Sequence, residues 1–349
     1  MKKIGIIGRI DPKGTLFDGQ TVKTRTVWKM LCERYGPNNI LAVETMGYRK
    51  NPSRIVRELH RCLKECDDVI VMLSHNGRKV FFPYLKRQAK YHGKRIYHDL
   101  IGGKLAIDVK REPRLVEQLN SFEVNWVESR TLVNELQQLG ITNSEYLPNF
   151  KQISPIGSDE LDTRILLPRR LCTFSRVTEQ KGILEAIEAT EILCDRDGGA
   201  YWSLDIYGPL DPEFRTTFEN ALTISPHVNY LGSVGPDNSV AVLKQYWALL
   251  FPTKWKGEGF PGTVIDALAA ALPIVASRWR YYDEMLQDGA TGESYDVNEG
   301  AGGLVNAIDL LASREDHMID IRKSCLARAR DYSAETLFNQ MIQRIESAR

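Results

Sequence analysis

The sequence has 349 residues, of which 43% are hydrophobic and 26% are charged, a composition typical of a globular protein with enough chain for two ordinary domains. No apolar run approaches the roughly 20 residues of a membrane span, and the six cysteines show no CxxC or paired metal spacing, as expected of reduced cytoplasmic thiols. The net charge is only +1, but residues 1–150 carry 26 Lys and Arg against 16 Asp and Glu, so a basic part precedes an acidic one.

Residues 1–150 are predicted to form one α/β domain, because apolar segments typical of buried strands alternate with longer segments typical of helices. The predicted strands cover residues 3–10, 39–45, 68–73, 95–99 and 125–128. The predicted helices between them include residues 21–35, 52–66 and about 130–139. No nucleic-acid motif accompanies the basic charge of this domain, so we expect no nucleic-acid partner.

The first helix begins near Gly19, after a loop rich in Asp, Pro and Gly. Gly5 and Gly8 do not form the GxGxxG pattern of a dinucleotide site. Lys23 and Arg25 follow in the first turns of the helix. They either meet an anionic acceptor or lie on a solvated face, and we favour the solvated face.

The segment 78–95 combines aromatic and basic residues. Its apolar residues are Phe81, Phe82, Tyr84 and Leu85. Its cations are Arg78, Lys79, Lys86, Arg87, Lys90, Lys94 and Arg95. One interpretation is a helix that lies on an anionic membrane surface. The interpretation that we favour is a structural helix with a solvated basic side, in which Pro83 lies near the helix start.

His98 lies at the end of the fourth predicted strand, in the sequence RIYHD before LIGG. The carboxyl ends of parallel strands form the ligand-binding side of such sheets. We therefore expect the His98 side chain to face a cleft rather than the core.

The second part of the chain brings two cations to a junction between strand, loop and helix. A predicted strand at residues 171–174 is followed by Arg176 and then by Lys181, and a helix is predicted over residues 183–193. This arrangement suits a diphosphate, because arginine binds it as a fork and lysine as a point charge. The nearby triplet at residues 195–197, DRD, resembles a metal motif but is predicted to be a turn.

The most informative stretch is WKGEGFPGTVIDALAAALPIVASR, residues 255–278. It contains a glycine-rich loop at residues 257–262, a predicted helix at about 263–272 and a buried strand at 274–276, and a strand at 246–251 precedes it. Glycines let the backbone approach a ligand closely, and the start of a helix is a natural seat for phosphate. The loop is therefore predicted to bind a ligand.

Two acids in this stretch have alternative interpretations. Asp266 either contacts a ligand or completes a capping box with Thr263, and the spacing favours neither. An acid within a glycine-rich loop is harder to explain by folding, so we favour a functional role for Glu258.

The stretch resembles the signature of retaining glycosyltransferases of the GT-B fold, family 4 (group 1), in which two acids are separated by seven residues. Here the second acid is Asp266. Ala271 occupies a position that is usually Gly in the family, and a positive φ there would cost on the order of 1 kcal/mol. The aromatic-rich segment 279–285 departs from the family's small residues and is expected to shape the sugar or acceptor pocket. Arg176 and Lys181 match the family's spacing as well.

This resemblance implies an α/β protein of GT-B architecture, with two Rossmann-like α/β/α domains that face each other across a cleft. The implied divisions are an acceptor-side domain at residues 1–150, a linker at 151–168, a nucleotide-sugar domain at 169–332, and a helix at 333–349 that crosses back to the first domain.

The resemblance also implies roles for individual residues. Arg176 and Lys181 would stabilise the leaving diphosphate, and Glu258 and His98 would contact the sugar. Asp266 would bind the ribose. The remaining implied donor-binding residues are Gly19, Ser233, Val234, Gly259, Phe260, Pro261, Gly262 and Thr263. No metal and no other cofactor are expected.

The implied activity is transfer of a sugar from a nucleotide-diphosphate sugar, with UDP preferred over GDP, to a saccharide or polyprenyl-diphosphate-linked saccharide in surface-polysaccharide or capsule biosynthesis. The expected location is the cytoplasm, and the membrane interpretation of residues 78–95 would place the protein peripherally at the inner face of the cell membrane. Two alternatives remain open: a nucleotide-sugar epimerase or phosphorylase of the same fold, and a non-catalytic nucleotide-sugar-binding subunit.

Overall fold

Two units, each built around a parallel six-stranded sheet, make up the computed structural model, which describes residues 3–16, 18–161, 168–199 and 201–348. The first unit comprises Met1–Gln152 and Ala334–Arg349, and the second comprises Ile153–Ser333. Residues 162–167 of the predicted linker lie outside the described residues. The predicted α/β class is confirmed.

In the first unit, strands and helices alternate along the chain. The strands are β1 (Lys3–Gly8), β2 (Ile40–Glu44), β3 (Cys66–Met72), β4 (Arg95–Asp99), β5 (Val124–Val127) and β6 (Ser144–Tyr146). The helices that follow them are α1 (Gly19–Tyr35), α2 (Pro52–Glu65), α3 (His75–His92), α4 (Leu105–Arg111), α5 (Arg114–Asn120) and α6 (Arg130–Gln138). The strands lie in the order β2-β1-β3-β4-β5-β6.

The second unit repeats this alternation. Its strands are β7 (Arg169–Phe174), β8 (Trp202–Tyr207), β9 (Val228–Gly232), β10 (Ala248–Phe251), β11 (Ile274–Ser277) and β12 (Gly292–Tyr295). Its helices are α7 (Ile183–Asp197), α8 (Arg215–Thr223), α9 (Ser239–Leu243), α10 (Gly262–Ala269), α11 (Tyr282–Met285), α12 (Gly300–Ala312) and α13 (Met318–Ala329). The strands lie in the order β9-β8-β7-β10-β11-β12.

The strand order of the second unit reverses between β7 and β10. Strand β7 pairs with β8 on one side and with β10 on the other, and all three are parallel. The loops that leave β7 and β10 therefore run in opposite directions and open a crevice at the carboxyl ends of these two strands. Ligands of open α/β sheets bind at such a reversal point.

The last helix, α14 (Ala334–Ser347), packs in the first unit although it follows the second one in sequence. Its apolar side chains join the buried core that contains Tyr97 and Trp126. Polar contacts fix it at its far end, where Arg344 Nε donates to Glu145 Oε1 at 2.8 Å and Tyr35 Oη donates to Glu346 Oε1 at 2.8 Å. The core of the first unit is thus built from two separate segments of the chain.

Two cations of α1 are buried, so the expected solvated face is wrong. Lys23 is 1% exposed, and its Nζ lies 2.8 Å from Asp99 Oδ1 at the end of β4. Arg25 pairs with Asp11 at 3.0 Å. Burying a charge is tolerated only with such a partner, and both partners lie outside the helix that carries the cations.

Helix α3 has the buried apolar face that the structural interpretation requires. Phe81, Phe82 and Leu85 are at most 5% exposed. Pro83 lies well inside the helix rather than near its start, which corrects that expectation. The carboxylates of α4, α5 and β3 pair with most of the cations of segment 78–95, as in the buried Arg78–Asp108 pair and the Lys86–Glu117 pair.

The triplet Asp195-Arg196-Asp197 forms the last turn of α7 rather than a turn after it. Arg196 binds Asp197 and also reaches Asp309 of α12. These carboxylates are therefore engaged in a contact between two helices.

Ala271 has a φ of +52°, the strained conformation that its position opposite the family's glycine implies. We expect Ala271→Gly to stabilise the protein by about 0.5–1 kcal/mol, because glycine adopts this backbone region without steric cost. The neighbouring Ala270 has a φ of −83°, so Ala270→Gly should destabilise by a similar amount. Urea denaturation of both variants measures the difference, and the opposite ranking would contradict the assignment of strain.

Candidate functional site

The loops after β7 and β10 meet at the reversal point of the second sheet. The β7 loop contains Arg176, a short 3-10 helix at Glu179–Lys181, and then Gly182, which has a φ of +68°. A Cβ atom on Gly182 would lie 1.9 Å from the Pro252 carbonyl oxygen in the β10 loop. Only glycine permits this approach, which brings Lys181 next to the loop that carries Glu258.

A side-chain contact also joins the start of α10 to the end of β7. Thr263 Oγ1 donates to the Phe174 carbonyl oxygen at 2.5 Å. Helix α10 begins at Gly262 after Pro261 and has no side-chain cap, so the capping-box alternative for Thr263 and Asp266 is wrong. The Asp266 side chain is almost fully buried in the first turns of this helix.

Lys181 and Glu258 form an ion pair, although 77 residues separate them in sequence. Lys181 Nζ lies 2.5 Å from Glu258 Oε2, and the two side chains are only 14% and 10% exposed. Thr253 Oγ1 donates to the same carboxylate oxygen at 2.9 Å. The Phe251 ring lies beside the ammonium, 5.3 Å from its centroid to Nζ. The structure therefore brings two predicted catalytic residues into direct contact.

Arg176 supplies a second positive charge two residues after β7. It is exposed, and no described residue forms a hydrogen bond or ion pair with its guanidinium. Arg176 and the mostly buried Lys181 thus belong to the same loop after β7, and two cations in one loop suit an anion with two negatively charged groups.

The glycine-rich loop Gly257–Gly262 contains Glu258, the partner of Lys181, and leads into α10, whose first residue is Gly262. Residues Gly257, Gly259 and Phe260 are buried, whereas Pro261 and Gly262 are partly exposed. The amide of Glu258 donates to the Trp255 carbonyl oxygen, which turns the loop back on itself. The start of α10 contributes a partial positive charge to the same region.

The remaining predicted donor-binding residues belong to other elements. Ser233 and Val234 directly follow β9, two strands from β7 in the sheet, with Ser233 exposed and Val234 partly buried. Gly19 is the first residue of α1 in the other unit, where Asp18 caps the helix. Their roles remain predictions from the resemblance.

His98 faces the core, so the expectation that it faces a cleft is wrong. The side chain is completely buried in the first unit and packs edge-on against Phe82 at 5.0 Å between ring centroids. Its Nδ1 lies 3.1 Å from Asn125 Oδ1. Burial lowers the pKa of His98 to about 3, and the charge of Arg78 acts in the same direction. A strand end did not expose this residue because α3 covers it.

We expect His98 to make the protein sensitive to acid. Its pKa in the folded state lies below its ordinary value of 6.5, so the stabilisation is complete above pH 6.5 and is lost as the pH falls towards 3. Between pH 7 and pH 5 the loss is about 2 kcal/mol. His98→Asn retains a donor for Asn125 but cannot titrate, so its stability should fall less over this range. Urea denaturation measures the free energy of unfolding of the wild-type protein and of His98→Asn at both pH values. An equal fall in the two proteins would contradict the prediction.

Three residues that contact the ion pair or the glycine-rich loop were not predicted from the sequence. Thr253 and Phe251 contact the ion pair directly, and Trp279 Nε1 donates to the Gly259 carbonyl oxygen at 3.1 Å. The only sequence signal for Thr253 was a hydroxyl just after a buried strand. Trp279 lies in the aromatic segment that was expected to shape a pocket, but its ring and those of Tyr281 and Tyr282 are buried.

The described residues contain no cluster of three or more His, Cys, Asp or Glu side chains that could hold a metal ion. In the same part of the chain, no helix combines the length and the apolar character needed to cross a bilayer.

Sequence comparison identifies one family model and two relatives that each match about half of the chain. Residues 167–331 match the family model described as Glycosyl transferases group 1. The amylovoran biosynthesis glycosyltransferase AmsK of Erwinia amylovora is 27% identical over 180 residues, which are 50% of this chain and 42% of AmsK. The putative colanic acid biosynthesis glycosyltransferase WcaL of Salmonella typhimurium is 25% identical over 182 residues, 51% of this chain and 44% of WcaL. The match thus spans less than half of either relative.

Structural comparison extends over the whole chain. HepE of Anabaena, solved in complex with UDP, has a TM-score of 0.76 at 13% identity and covers 99% of this chain and 100% of its own. The sucrose-phosphate synthase of Thermosynechococcus elongatus has a TM-score of 0.78 at 13% identity and covers 100% and 99%. At this identity the likeness establishes the fold, and the predicted architecture of two Rossmann-like units is confirmed.

Proposed function

We propose that this chain, whose residues 167–331 match the group 1 glycosyltransferases, transfers a sugar with retention of configuration from a nucleotide-diphosphate sugar to a saccharide or polyprenyl-diphosphate-linked saccharide. The relatives AmsK and WcaL carry names of polysaccharide biosynthesis, which supports surface-polysaccharide or capsule assembly as the pathway. UDP is the preferred nucleotide because HepE was solved with UDP and with UDP-glucose, and GDP is the second choice.

The Lys181–Glu258 pair at the reversal point of the sheet is the observation that carries this proposal. The reaction breaks the bond between the anomeric carbon and the diphosphate oxygen and joins the acceptor oxygen to that carbon. Negative charge grows on the leaving diphosphate, and Lys181 and Arg176 would stabilise it from the β7 loop. The start of α10 at Gly262 and Thr263 would add its N–H groups.

Glu258 would bind hydroxyl groups of the donor sugar and so orient the anomeric carbon. Asp266 would accept hydrogen bonds from the ribose, and the backbone around Ser233 and Val234 would meet the base. The leaving phosphate oxygen takes the proton of the acceptor hydroxyl on the same face of the sugar, so no carboxylate nucleophile is needed. His98 is omitted from the reacting groups because it lies in the core. The proposal includes no metal, since Arg176 and Lys181 would supply the positive charge that the diphosphate needs.

Thermal-shift measurements with UDP, GDP and ADP, and with sugars attached to each, test the proposal. A nucleotide present at about 100 times its dissociation constant stabilises a protein by about 2.7 kcal/mol. We expect one nucleotide series to raise Tm and the matching sugar nucleotide to be consumed when an acceptor is added. A changed sugar nucleotide without acceptor would instead identify an epimerase. A shift with one nucleotide series but no consumption of any sugar nucleotide would support the non-catalytic alternative, and no shift with any nucleotide would contradict the proposal.

We also propose that a patch on α3 brings the protein to the inner face of the cell membrane. Tyr84, Arg87, Lys90 and Tyr91 are exposed on this helix, and Tyr91 is 68% exposed. Aromatic rings beside cations suit the interface of an anionic bilayer. Most other cations of segment 78–95 are paired with carboxylates, so the contact would be limited to this patch.

Co-sedimentation with vesicles containing phosphatidylglycerol tests this surface. We expect binding at low salt, weaker binding at high salt, and a loss of at least tenfold in Arg87→Glu/Lys90→Glu. Because both cations are exposed, the variant should fold normally. Failure of the wild-type protein to bind at low salt would refute membrane attachment through this helix.

A further inference from the structure

We infer that Trp279 is a positioning residue, which holds the glycine-rich loop Gly257–Gly262 so that Glu258 faces Lys181. The inference rests on the proposed function and deepens it by assigning a support to the donor site. Trp279 follows β11 by two residues and is only 7% exposed. A side chain on a strand end is fixed more precisely than one on a long loop.

The loop requires an external support because of its composition. Three of its six residues are glycines, which lose more backbone freedom on ordering than any other residue. Trp279 Nε1 donates to the Gly259 carbonyl oxygen at 3.1 Å. In a trans peptide the C=O and the next N–H point in opposite directions. The indole therefore fixes both the Gly259 carbonyl and the direction of the Phe260 amide.

The same indole supports the other partner of the ion pair. Its ring packs edge-on against Phe251, with ring centroids 5.4 Å apart and an interplanar angle of 71°. Phe251 is the ring beside the Lys181 ammonium. One side chain thus contacts the loop of Glu258 and the aromatic surface under Lys181, so a shift of Trp279 would affect both.

A second contact from the end of β11 holds the other side of the loop. Ser277 Oγ donates to the Thr253 carbonyl oxygen at 2.7 Å, and the Thr253 hydroxyl donates to Glu258. Glu258 therefore lies between two supports, Thr253 before it and Gly259 after it. Both supports lead to the same strand end, which explains how a glycine-rich loop can keep a carboxylate in place.

Hydrogen–deuterium exchange of Trp279→Phe tests the inference without any ligand. Phenylalanine retains a ring for Phe251 but removes the N–H donor. We expect exchange of the amides at residues 256–260 and 262 to rise at least tenfold, while other segments of the second unit change little. The matched control is Trp202→Phe, which removes an indole bond to Asp197 at the amino end of β8 and should leave the loop unchanged.

Unchanged loop exchange in Trp279→Phe would overturn the inference. If the variant does not fold, benzothienylalanine at position 279 replaces the N–H with sulfur in a ring of nearly the same shape, and the same exchange measurement decides. The affinity for UDP is measured in parallel, and we expect it to fall three- to tenfold in Trp279→Phe. A wild-type protein that binds no nucleotide would refute the proposed function, while the exchange result would still decide the role of Trp279.

Discussion

Glu258→Gln is expected to lower sugar transfer by about 10²–10³-fold and yet to raise the affinity for free UDP severalfold. The amide keeps the shape of the side chain but not its charge. Glu258 Oε2 lies 2.5 Å from the Lys181 ammonium. A diphosphate must therefore compete with this carboxylate for the cation. Removing the carboxylate's charge frees Lys181 for the nucleotide, while the donor sugar loses the group that orients it.

Lys181→Ala should lower both the rate of sugar transfer and the affinity for UDP, since it removes the cation that the diphosphate needs and leaves Glu258 without its partner. We expect a loss of transfer of about 10²–10³-fold and weaker UDP binding. The opposite effects of the two variants on UDP affinity distinguish competition for a cation from simple damage to the site. Isothermal titration with UDP, and transfer assays with the donor found by thermal shift, measure both quantities.

Lys254→Ala is the matched control for these variants. Lys254 lies in the same loop as Glu258, but its ammonium pairs with Glu185 and its side chain is 37% exposed. Transfer and UDP affinity should stay within about twofold of the wild-type values, because exposed pairs contribute little. Weaker UDP binding by Glu258→Gln would show that the ion pair does not compete with the nucleotide.

Asp99→Ala is expected to destabilise the first unit by about 3–5 kcal/mol, because it leaves the Lys23 ammonium buried without a partner. Both side chains are at most 1% exposed. Burial raises the pKa of Asp99, and Lys23 only partly opposes this. Removing both charges from water therefore costs much free energy. The pair stabilises the fold mainly because each buried charge would otherwise have no partner of opposite sign.

The double variant Lys23→Met/Asp99→Leu should be far more stable than Asp99→Ala, since no buried charge remains. The control for a single lost pair is Glu112→Gln, whose partner Lys79 is 49% exposed, and it should have no measurable effect. Urea denaturation followed by circular dichroism compares all three variants. Stability of Asp99→Ala close to that of the wild-type protein would contradict the role of the pair.

Local sequence patterns predicted the second unit well, because the information lies within short segments. The helix expected at about 263–272 is α10, and the strand expected at 274–276 is β11. The family suggested by Glu258 and Asp266 and by the spacing of Arg176 and Lys181 is the one whose model matches residues 167–331. Such stretches combine turn glycines, an apolar strand and a helix start in a fixed order, so they need no tertiary information.

Contacts between distant segments were not predictable from those patterns. Lys23 was assigned to a solvated face because its partner, Asp99, is 76 residues away. His98 was assigned to a cleft because nothing in RIYHD shows that Phe82 covers it. The same limit applies to the site itself, where Lys181 and Glu258 were given separate ligands before the sheet order placed them together. Whether a side chain is buried and which partner it binds depend on the tertiary fold. The local sequence pattern predicts only whether the residue lies in a strand or a helix.

The return of α14 to the first unit has a consequence for biosynthesis on the ribosome. Strands β1 to β6 are translated first, but the helix that covers Tyr97 and Trp126 is translated only after the whole second unit. The second unit is continuous in sequence and can complete its own core in the meantime. Until α14 is translated, the first unit exposes the apolar surface that this helix later covers. It is therefore the part of the nascent chain that most needs protection by chaperones.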